Sequence, residues 1–273
     1  MSDEQIQQQA GLPAVASAEA GPPSPSFLTL VLKTFAGLGG GIAGMVILLV
    51  IFLGAATILG SAFNPELLEG EAGKHPLFIF VFMAMIFLTS LGANLVGSLL
   101  FTFVEHEKYT RRSTAIYQIF FANLVIFIML APVYLLLDAR NLMDMIGFLA
   151  GFHVLIGALA SMMILEIIGN LRYAIIGVYG VIFSTLISTA IIILTYELTG
   201  QNKTVVLFSA VPVIWTLLGF ITVIVEMLYR WLYTLYGSDF LMSKTSFGKD
   251  YGEAEEEEAE PPPDVTGAEF LKK

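Results

Sequence analysis

Three observations predict that this chain is an all-α integral membrane protein, a bundle of about six transmembrane helices. First, 56% of its 273 residues are hydrophobic and only 13% are charged, whereas soluble proteins carry about 25% charged residues. Second, six apolar stretches are long enough to cross a bilayer core of about 30 Å. Third, the alternating apolar and polar strands of a membrane β-barrel are absent. Because lipid offers backbone groups no hydrogen-bond partner, such spans must be helical.

Polar tails flank the apolar region. Residues 1–26 contain three acids and no base and end in a proline-rich run, a composition that predicts a disordered tail without the basic start of a cleavable signal peptide. Residues 237–273 are predicted to form a disordered acidic tail, since nine acids and three lysines lie within 249–273. The net charge of −10 therefore belongs mainly to the tails.

Residues 27–41 connect the N-terminal tail to the first span. Residues 27–38 are apolar around a single Lys33, and they would make the first helix much longer than the roughly 20 residues that cross a bilayer. We therefore predict a short interfacial helix that turns into the first span at Gly39, Gly40 and Gly41. One long, tilted helix is the alternative.

The transmembrane domain is predicted over 42–236. Its six spans follow from the apolar stretches and the polar breaks between them: 42–63, 77–104, 115–137, 145–168, 173–195 and 204–228. Pro132 and Pro212 fall inside the third and sixth spans, where each removes a backbone donor and predicts a kink. Small residues recur four positions apart, as at Gly37 and Gly41, which suits close packing in the bundle or self-association.

The placement of lysine and arginine predicts the orientation. With the N-terminus inside, ten of these residues fall on the inner side and three on the outer side. Cytoplasmic loops are the ones enriched in Lys and Arg. We therefore predict that both termini are cytoplasmic and that the protein lies in a plasma or inner membrane.

Glutamates end the three even-numbered spans at the predicted inner face. Glu105, Glu166 and Glu226 are separated by 61 residues (105 to 166) and 60 residues (166 to 226), about one helical hairpin, which leaves a threefold repeat open. Together with polar residues at similar depth they form a predicted inner-mouth cluster: Glu105, Gln118, Glu166, Asn170, Arg172, Glu226 and Arg230. Such a cluster could line a vestibule or gate, or it could consist of charges that reach for water at helix ends.

Deeper in the spans, Asn94 and Asn123 fall at similar depth in neighbouring helices. We predict a hydrogen bond between them, as a structural link or as part of a substrate-lining surface. His153 is the single histidine in a span and has no second ligand three or four residues away, so it predicts a packing role rather than a metal site.

Several function classes are excluded or disfavoured. Cysteine is absent, so disulfides and thiolate metal sites are excluded. A basic nucleic-acid footprint and a phosphate-binding loop are also absent, and no cofactor is predicted. An intramembrane enzyme is disfavoured because His153 and Glu166 lie about 20 Å apart along one helix.

Two hypotheses remain, and the lipid bilayer is a partner in both. The preferred one is a membrane-embedded assembly or partner-binding subunit of a larger complex, with other membrane subunits or further copies as partners, because mid-membrane charge is scarce. The alternative is a small-molecule or ion transporter or channel, which the inner-mouth cluster and the two prolines favour.

Overall fold

The computed structural model describes residues 25–59, 76–109, 111–136, 139–169 and 174–236, and this part of the chain forms six α-helices and no strand. The helices are α1 (Phe27–Leu59), α2 (Pro76–Val104), α3 (Arg112–Leu136), α4 (Ala139–Gly169), α5 (Ala174–Leu198) and α6 (Lys203–Tyr236). Each is long and apolar enough to cross a membrane, which confirms the predicted helical membrane bundle. The predicted tails lie outside the described residues, apart from positions 25 and 26.

The predicted interfacial helix over 27–38 does not form as a separate element. α1 continues through Gly39, Gly40 and Gly41 as one helix of 33 residues, so the predicted break does not form there. The tilt of this long helix stays a prediction. The glycines are used for close approach rather than for a turn, because Gly37 and Gly41 face α6 while Gly40 and Gly44 face α2. Packing on both sides stabilises the continuous helix.

Other helix boundaries differ modestly from the predicted ones. α4 begins at Ala139 instead of 145, and α6 continues to Tyr236 instead of ending at 228. Charged residues marked the predicted ends, but a charge outside the apolar span does not interrupt backbone hydrogen bonds. α3 and α6 contain Pro132 and Pro212 within continuous helix, and the kinks stay predictions.

The even-numbered helices form the inner layer of the bundle. α4 packs against both α2 and α6, while α2 and α6 touch each other only weakly. Each odd-numbered helix covers a groove between two of them: α1 between α2 and α6, α3 between α2 and α4, and α5 between α4 and α6. Each hairpin therefore packs against the other two, with α4 between α2 and α6, and the ends of α2, α4 and α6 that carry glutamates lie at one end of the bundle.

Candidate functional site

A cluster of ionisable side chains is buried where the inner helices converge. We call it the charged cluster, and its members are Lys33, Glu105, Lys108, Tyr109, Glu166 and Glu226. They come from α1, from the end of α2 and the turn after it, from α4 and from α6. Because ionisable groups are expensive inside a bilayer, a buried group of them is a candidate functional site.

The turn that follows α2 places three members of the cluster on one short segment. The backbone carbonyl of Glu105 accepts hydrogen bonds from the amides of Lys108 (3.0 Å) and Tyr109 (3.1 Å), which folds the segment back over the end of the helix. The side chains of Glu105 and Lys108 are each 10% exposed, and Tyr109 is fully buried. The turn therefore closes this end of the bundle with charged groups that point inward.

Lys33 enters the cluster from α1 and is completely buried. Its Nζ donates to Oε2 of Glu105 at 2.5 Å and lies 3.4 Å from the hydroxyl oxygen of Tyr109. The same ammonium is 5.5 Å from the ring centroid of Phe101. A charge at this position is stable only because a carboxylate and aromatic faces replace the water it loses.

Lys108 links the remaining two carboxylates. Its Nζ lies 3.1 Å and 3.0 Å from the two carboxylate oxygens of Glu166, and it donates to Oε1 of Glu226 in a still shorter contact. Oε2 of Glu105 is 4.0 Å away. Glu166 and Glu226 are 0% and 1% exposed, so these are ion pairs inside the protein and not helix-end charges in water.

Glu166 is held on two further sides. The hydroxyl of Tyr109 donates to Oε1 of Glu166 at 2.6 Å. The carboxylate also lies against Gly177 of α5, where a Cβ atom would meet Oε2 at 2.1 Å and Cδ at 2.3 Å. Only glycine leaves room for the carboxylate at this point, so α5 shapes the site although it adds no charged member to the cluster.

The ion pairs of the charged cluster determine the pKa values of the side chains in the turn after α2. Burial alone would raise the pKa of Glu105, but the ammonium groups of Lys33 and Lys108 hold it below its usual range. Burial alone would lower the pKa of Lys108, but the carboxylates of Glu166 and Glu226 hold it well above its usual range. Burial, together with the Glu166 carboxylate, raises the pKa of Tyr109, so its hydroxyl stays a donor. Both charges of the turn are therefore kept at neutral pH.

The structure brings together three residues of the predicted inner-mouth cluster, Glu105, Glu166 and Glu226. Gln118 instead lies exposed on α3. The guanidinium of Arg230 lies 5.9 Å from the ring centroid of Tyr233, one turn further along α6. Asn170 and Arg172 lie outside the described residues.

Sequence reasoning missed the basic side of the site. It assigned Lys33 to an interfacial helix, counted Lys108 only among the ten basic residues of the predicted inner side, and gave Tyr109 no role. One signal was available for Lys33, because a single lysine within an apolar helix requires a buried acidic partner. Tyr109 carried no such signal, since tyrosine is common at membrane interfaces.

A second polar group lies deeper in the bundle, and we call it the asparagine network. Its members are Ser90, Asn94, Asn123, Ser161 and Trp215, all buried. Asn94 donates to Asn123 Oδ1 at 2.6 Å and to Ser90 Oγ at 3.0 Å, and it accepts from Trp215 Nε1 at 3.2 Å. Asn123 donates to Ser161 Oγ at 3.0 Å.

The asparagine network joins α2, α3, α4 and α6 and satisfies its own donors. Asn123 also donates to the carbonyl of Ile119 at 2.9 Å, so both of its amide hydrogens are used. Gly157 of α4 makes the space, because a Cβ atom there would lie 2.3 Å from Asn94 Nδ2 and 2.8 Å from Asn123 Oδ1. Fully satisfied polar networks of this kind fix one packing arrangement.

His153 lies on α4, four residues from Gly157 and further from the charged cluster. Its Nδ1 is 2.8 Å from the hydroxyl oxygen of Tyr134, and its Nε2 is buried without a hydrogen-bond partner. Within the described ranges, no group of three or more His, Cys, Asp or Glu side chains is placed to hold a metal ion.

No protein-family model, curated protein or solved structure matches this chain.

Proposed function

We propose that this multi-pass membrane protein is a transporter or channel for a small solute or ion, and that the charged cluster is a gate at one end of its central axis. The observation that carries the proposal is the burial of five charged side chains, drawn from α1, α4, α6 and the turn after α2. An assembly role alone does not require such a cluster, and ionisable groups inside a membrane typically mark ion and substrate pathways.

The position of the charged cluster supports a gate. Its three glutamates come from α4, from α6 and from the turn that directly follows α2. We propose that a solute moves between the hairpins, as it does between the repeats of many transporters, and passes the cluster. Breaking the ion pairs with Lys108 would release α4 and α6 from the turn after α2, so one side chain connects three segments.

The described structure then represents a closed state. Deeper in the bundle than the charged cluster, Trp215 of α6 packs against α2, with its ring centroid 5.5 Å from that of Phe101 and its indole N–H bonded to Asn94. We propose that the cluster faces the cytoplasm, because the count of Lys and Arg places this end inside. Both chain termini then lie on the cytoplasmic side of a plasma or inner membrane.

An assembly or partner-binding subunit is the second candidate. The packed interior favours it, since the asparagine network and Trp215 are buried and hydrogen-bonded between the helices as they would be in a structural core. A stoichiometric second protein that co-purifies after gentle detergent extraction would support this candidate. A monomer or homo-oligomer of this chain alone would support the transporter.

The direct test is flux into vesicles reconstituted with the purified chain. The panel contains alkali cations, small anions, amino acids and organic acids, and the variants are Glu166→Gln and Glu107→Gln. Glu107 is 92% exposed next to the charged cluster and is the matched control. We expect flux of one solute class, unchanged in Glu107→Gln and reduced roughly tenfold or more in Glu166→Gln. Equal flux in empty vesicles for the whole panel would reject the proposal.

A further inference from the structure

We propose that Glu226 binds one exchangeable proton, which makes the charged cluster a proton-binding site. That this proton is coupled to solute movement rests on the proposed transport function. The proton adds to Oε2 of Glu226 and forms a neutral carboxylic acid. It is taken from water at the charged end of the bundle and returned there, and no other bond is made or broken.

The charge balance of the cluster requires one more positive charge. Three carboxylates, on Glu105, Glu166 and Glu226, share the two ammonium groups of Lys33 and Lys108. With every group ionised, a buried net charge of −1 would remain among the members that the structure describes. An unpaired charge in a low-dielectric interior is so costly that the group takes up a proton instead.

Geometry identifies Glu226 as the group that takes the proton. Glu105 has Lys33 at 2.5 Å, and Glu166 has Lys108 on both oxygens together with the Tyr109 hydroxyl. Glu226 contacts Lys108 through Oε1 alone, and its Oε2 is buried with no hydrogen-bond partner. Oε2 of Glu166 also accepts no hydrogen bond, but it lies 3.0 Å from the Lys108 ammonium. Glu226 therefore has the least compensated carboxylate.

The surroundings of Glu226 favour a proton over a metal cation. Lys108 already occupies the space between Glu226 and Glu166, and its ammonium would repel a second cation at the same oxygens. A metal ion also requires several ligands together, and the described part of the chain offers no group of three. A proton needs a single oxygen and adds no volume.

The titratable and charged groups that face Glu226 come from the helices packed around α6. α1 brings Lys33, α2 and the following turn bring Glu105, Lys108 and Tyr109, and α4 brings Glu166. α5 presents Gly177 to the site, and the next turn of α6 carries Arg230, which lies over the ring of Tyr233. Glu105 and Lys108 remain 10% exposed, so the turn is the side of the cluster that water reaches.

Infrared spectroscopy of the purified chain in lipid nanodiscs tests the inference without any transported solute. At about pH 7 exposed carboxyl groups are ionised, so a carbonyl band of a protonated carboxylic acid reports a buried group. We expect this band in the wild type and in Glu107→Gln, and its loss in Glu226→Gln. Glutamine has the shape of the neutral acid, so this variant should fold, which the elution volume and tryptophan fluorescence verify.

Other outcomes separate this inference from the proposed function. Absence of the band in the wild type from about pH 5 to about pH 8 would overturn the proton site even if flux is found. Survival of the band in Glu226→Gln would overturn the assignment to Glu226. The expected band in a protein without flux would support the proton site while the transport function fails.

Discussion

Lys108 is the side chain on which most ion pairs of the charged cluster depend. Its ammonium contacts Glu166 and Glu226 and lies 4.0 Å from Glu105. Removing one member of a buried ion pair typically destabilises a protein by about 3–5 kcal/mol, because the remaining charge is left unpaired. Replacing Lys108 would leave several carboxylates unpaired at once. A single substitution at another member of the cluster leaves Lys108 with a partner, so its effect is easier to assign to one residue.

Glu105 gives the cluster a pH-dependent contribution to stability. Because folding lowers its pKa below the usual 4.5, the carboxylate stabilises the fold fully above that value, and the contribution disappears as the pH falls through the lowered pKa. We expect Glu105→Gln to lower the free energy of unfolding by about 3–5 kcal/mol at neutral pH, because the buried Lys33 loses its carboxylate partner. In thermal unfolding, the difference in melting temperature between the wild type and the variant should become smaller below about pH 4.5.

The exposed neighbour Glu107 is the control for this measurement. Glu107→Gln should unfold like the wild type at every pH, since its side chain is 92% exposed. A gap between wild type and Glu105→Gln that stays constant into the acid range would contradict the lowered pKa.

At the scale of residues, the sequence predicted the acidic half of the site and not the basic half. Glu105, Glu166 and Glu226 could be found because they end apolar spans at regular intervals. Their partners could not, because Lys33 precedes Glu105 by 72 positions and nothing local fixes which helices meet. The pairing depends on helix packing, which hydropathy does not encode.

At the scale of elements, the contact between α1 and α6 depends on glycine. A Cβ atom on Gly37 would lie 2.1 Å from the carbonyl oxygen of Trp215, and one on Gly219 would lie 2.2 Å from the carbonyl oxygen of Lys33. These neighbours are backbone atoms and cannot rotate away. The two helices therefore approach as closely as their main chains allow, as small residues permit in membrane bundles.

Gly37→Ala should force α1 away from α6. We expect the free energy of unfolding to fall by about 1–3 kcal/mol, seen as a lower melting temperature in detergent. The matched control is Gly39→Ala, where the nearest atom is the flexible Cδ1 of Leu100 at 3.2 Å. Equal melting temperatures for the two variants would show that α1 and α6 do not pack this closely.

The asparagine network predicts that substitutions at two positions of α2 one turn apart, Asn94 and Ser98, differ in their effect on stability. Asn94→Leu leaves Asn123 Oδ1 and Trp215 Nε1 without their partner and should cost about 1–2 kcal/mol. It should also shift the emission of Trp215, which is buried while Trp231 is 57% exposed. Ser98→Ala is the control, because the hydroxyl of Ser98 is buried without a partner. Unchanged emission in Asn94→Leu would contradict the bond to Trp215.

The positions of the helices could largely be predicted from the sequence, but the continuity of α1 through its glycines could not. Apolar length located all six helices within a few residues at most ends. The break expected at Gly39, Gly40 and Gly41 was wrong because the same residues that weaken an isolated helix allow a buried one to pack. Local preference alone cannot distinguish these two uses of glycine.

At the scale of the whole molecule, the proposals depend on which end of the bundle faces the cytoplasm. The chain has no cysteine, so single cysteines can be introduced without background labelling. Ser26 precedes α1 at the charged end, whereas Thr199 is exposed in the turn between α5 and α6. These positions therefore report on opposite ends of the bundle.

We expect a membrane-impermeant maleimide to label Thr199→Cys on intact cells and Ser26→Cys only after the cells are opened. This follows from the ten basic residues predicted inside against three outside. Labelling of Ser26→Cys on intact cells would reverse the orientation and place the charged cluster at the outer surface.

The burial of Lys33 also has a consequence for how the protein is made. During synthesis α1 emerges first, with a lysine that pairs with Glu105 at the end of the next helix. Lysine opposes insertion most strongly at the centre of a span, whereas Lys33 lies in the second turn of α1 and is followed by 26 uncharged residues of the same helix. α1 can therefore enter the bilayer on its own, but its Lys33 ammonium has no carboxylate partner until α2 has followed. The first hairpin is then complete only when the ribosome has passed residue 105.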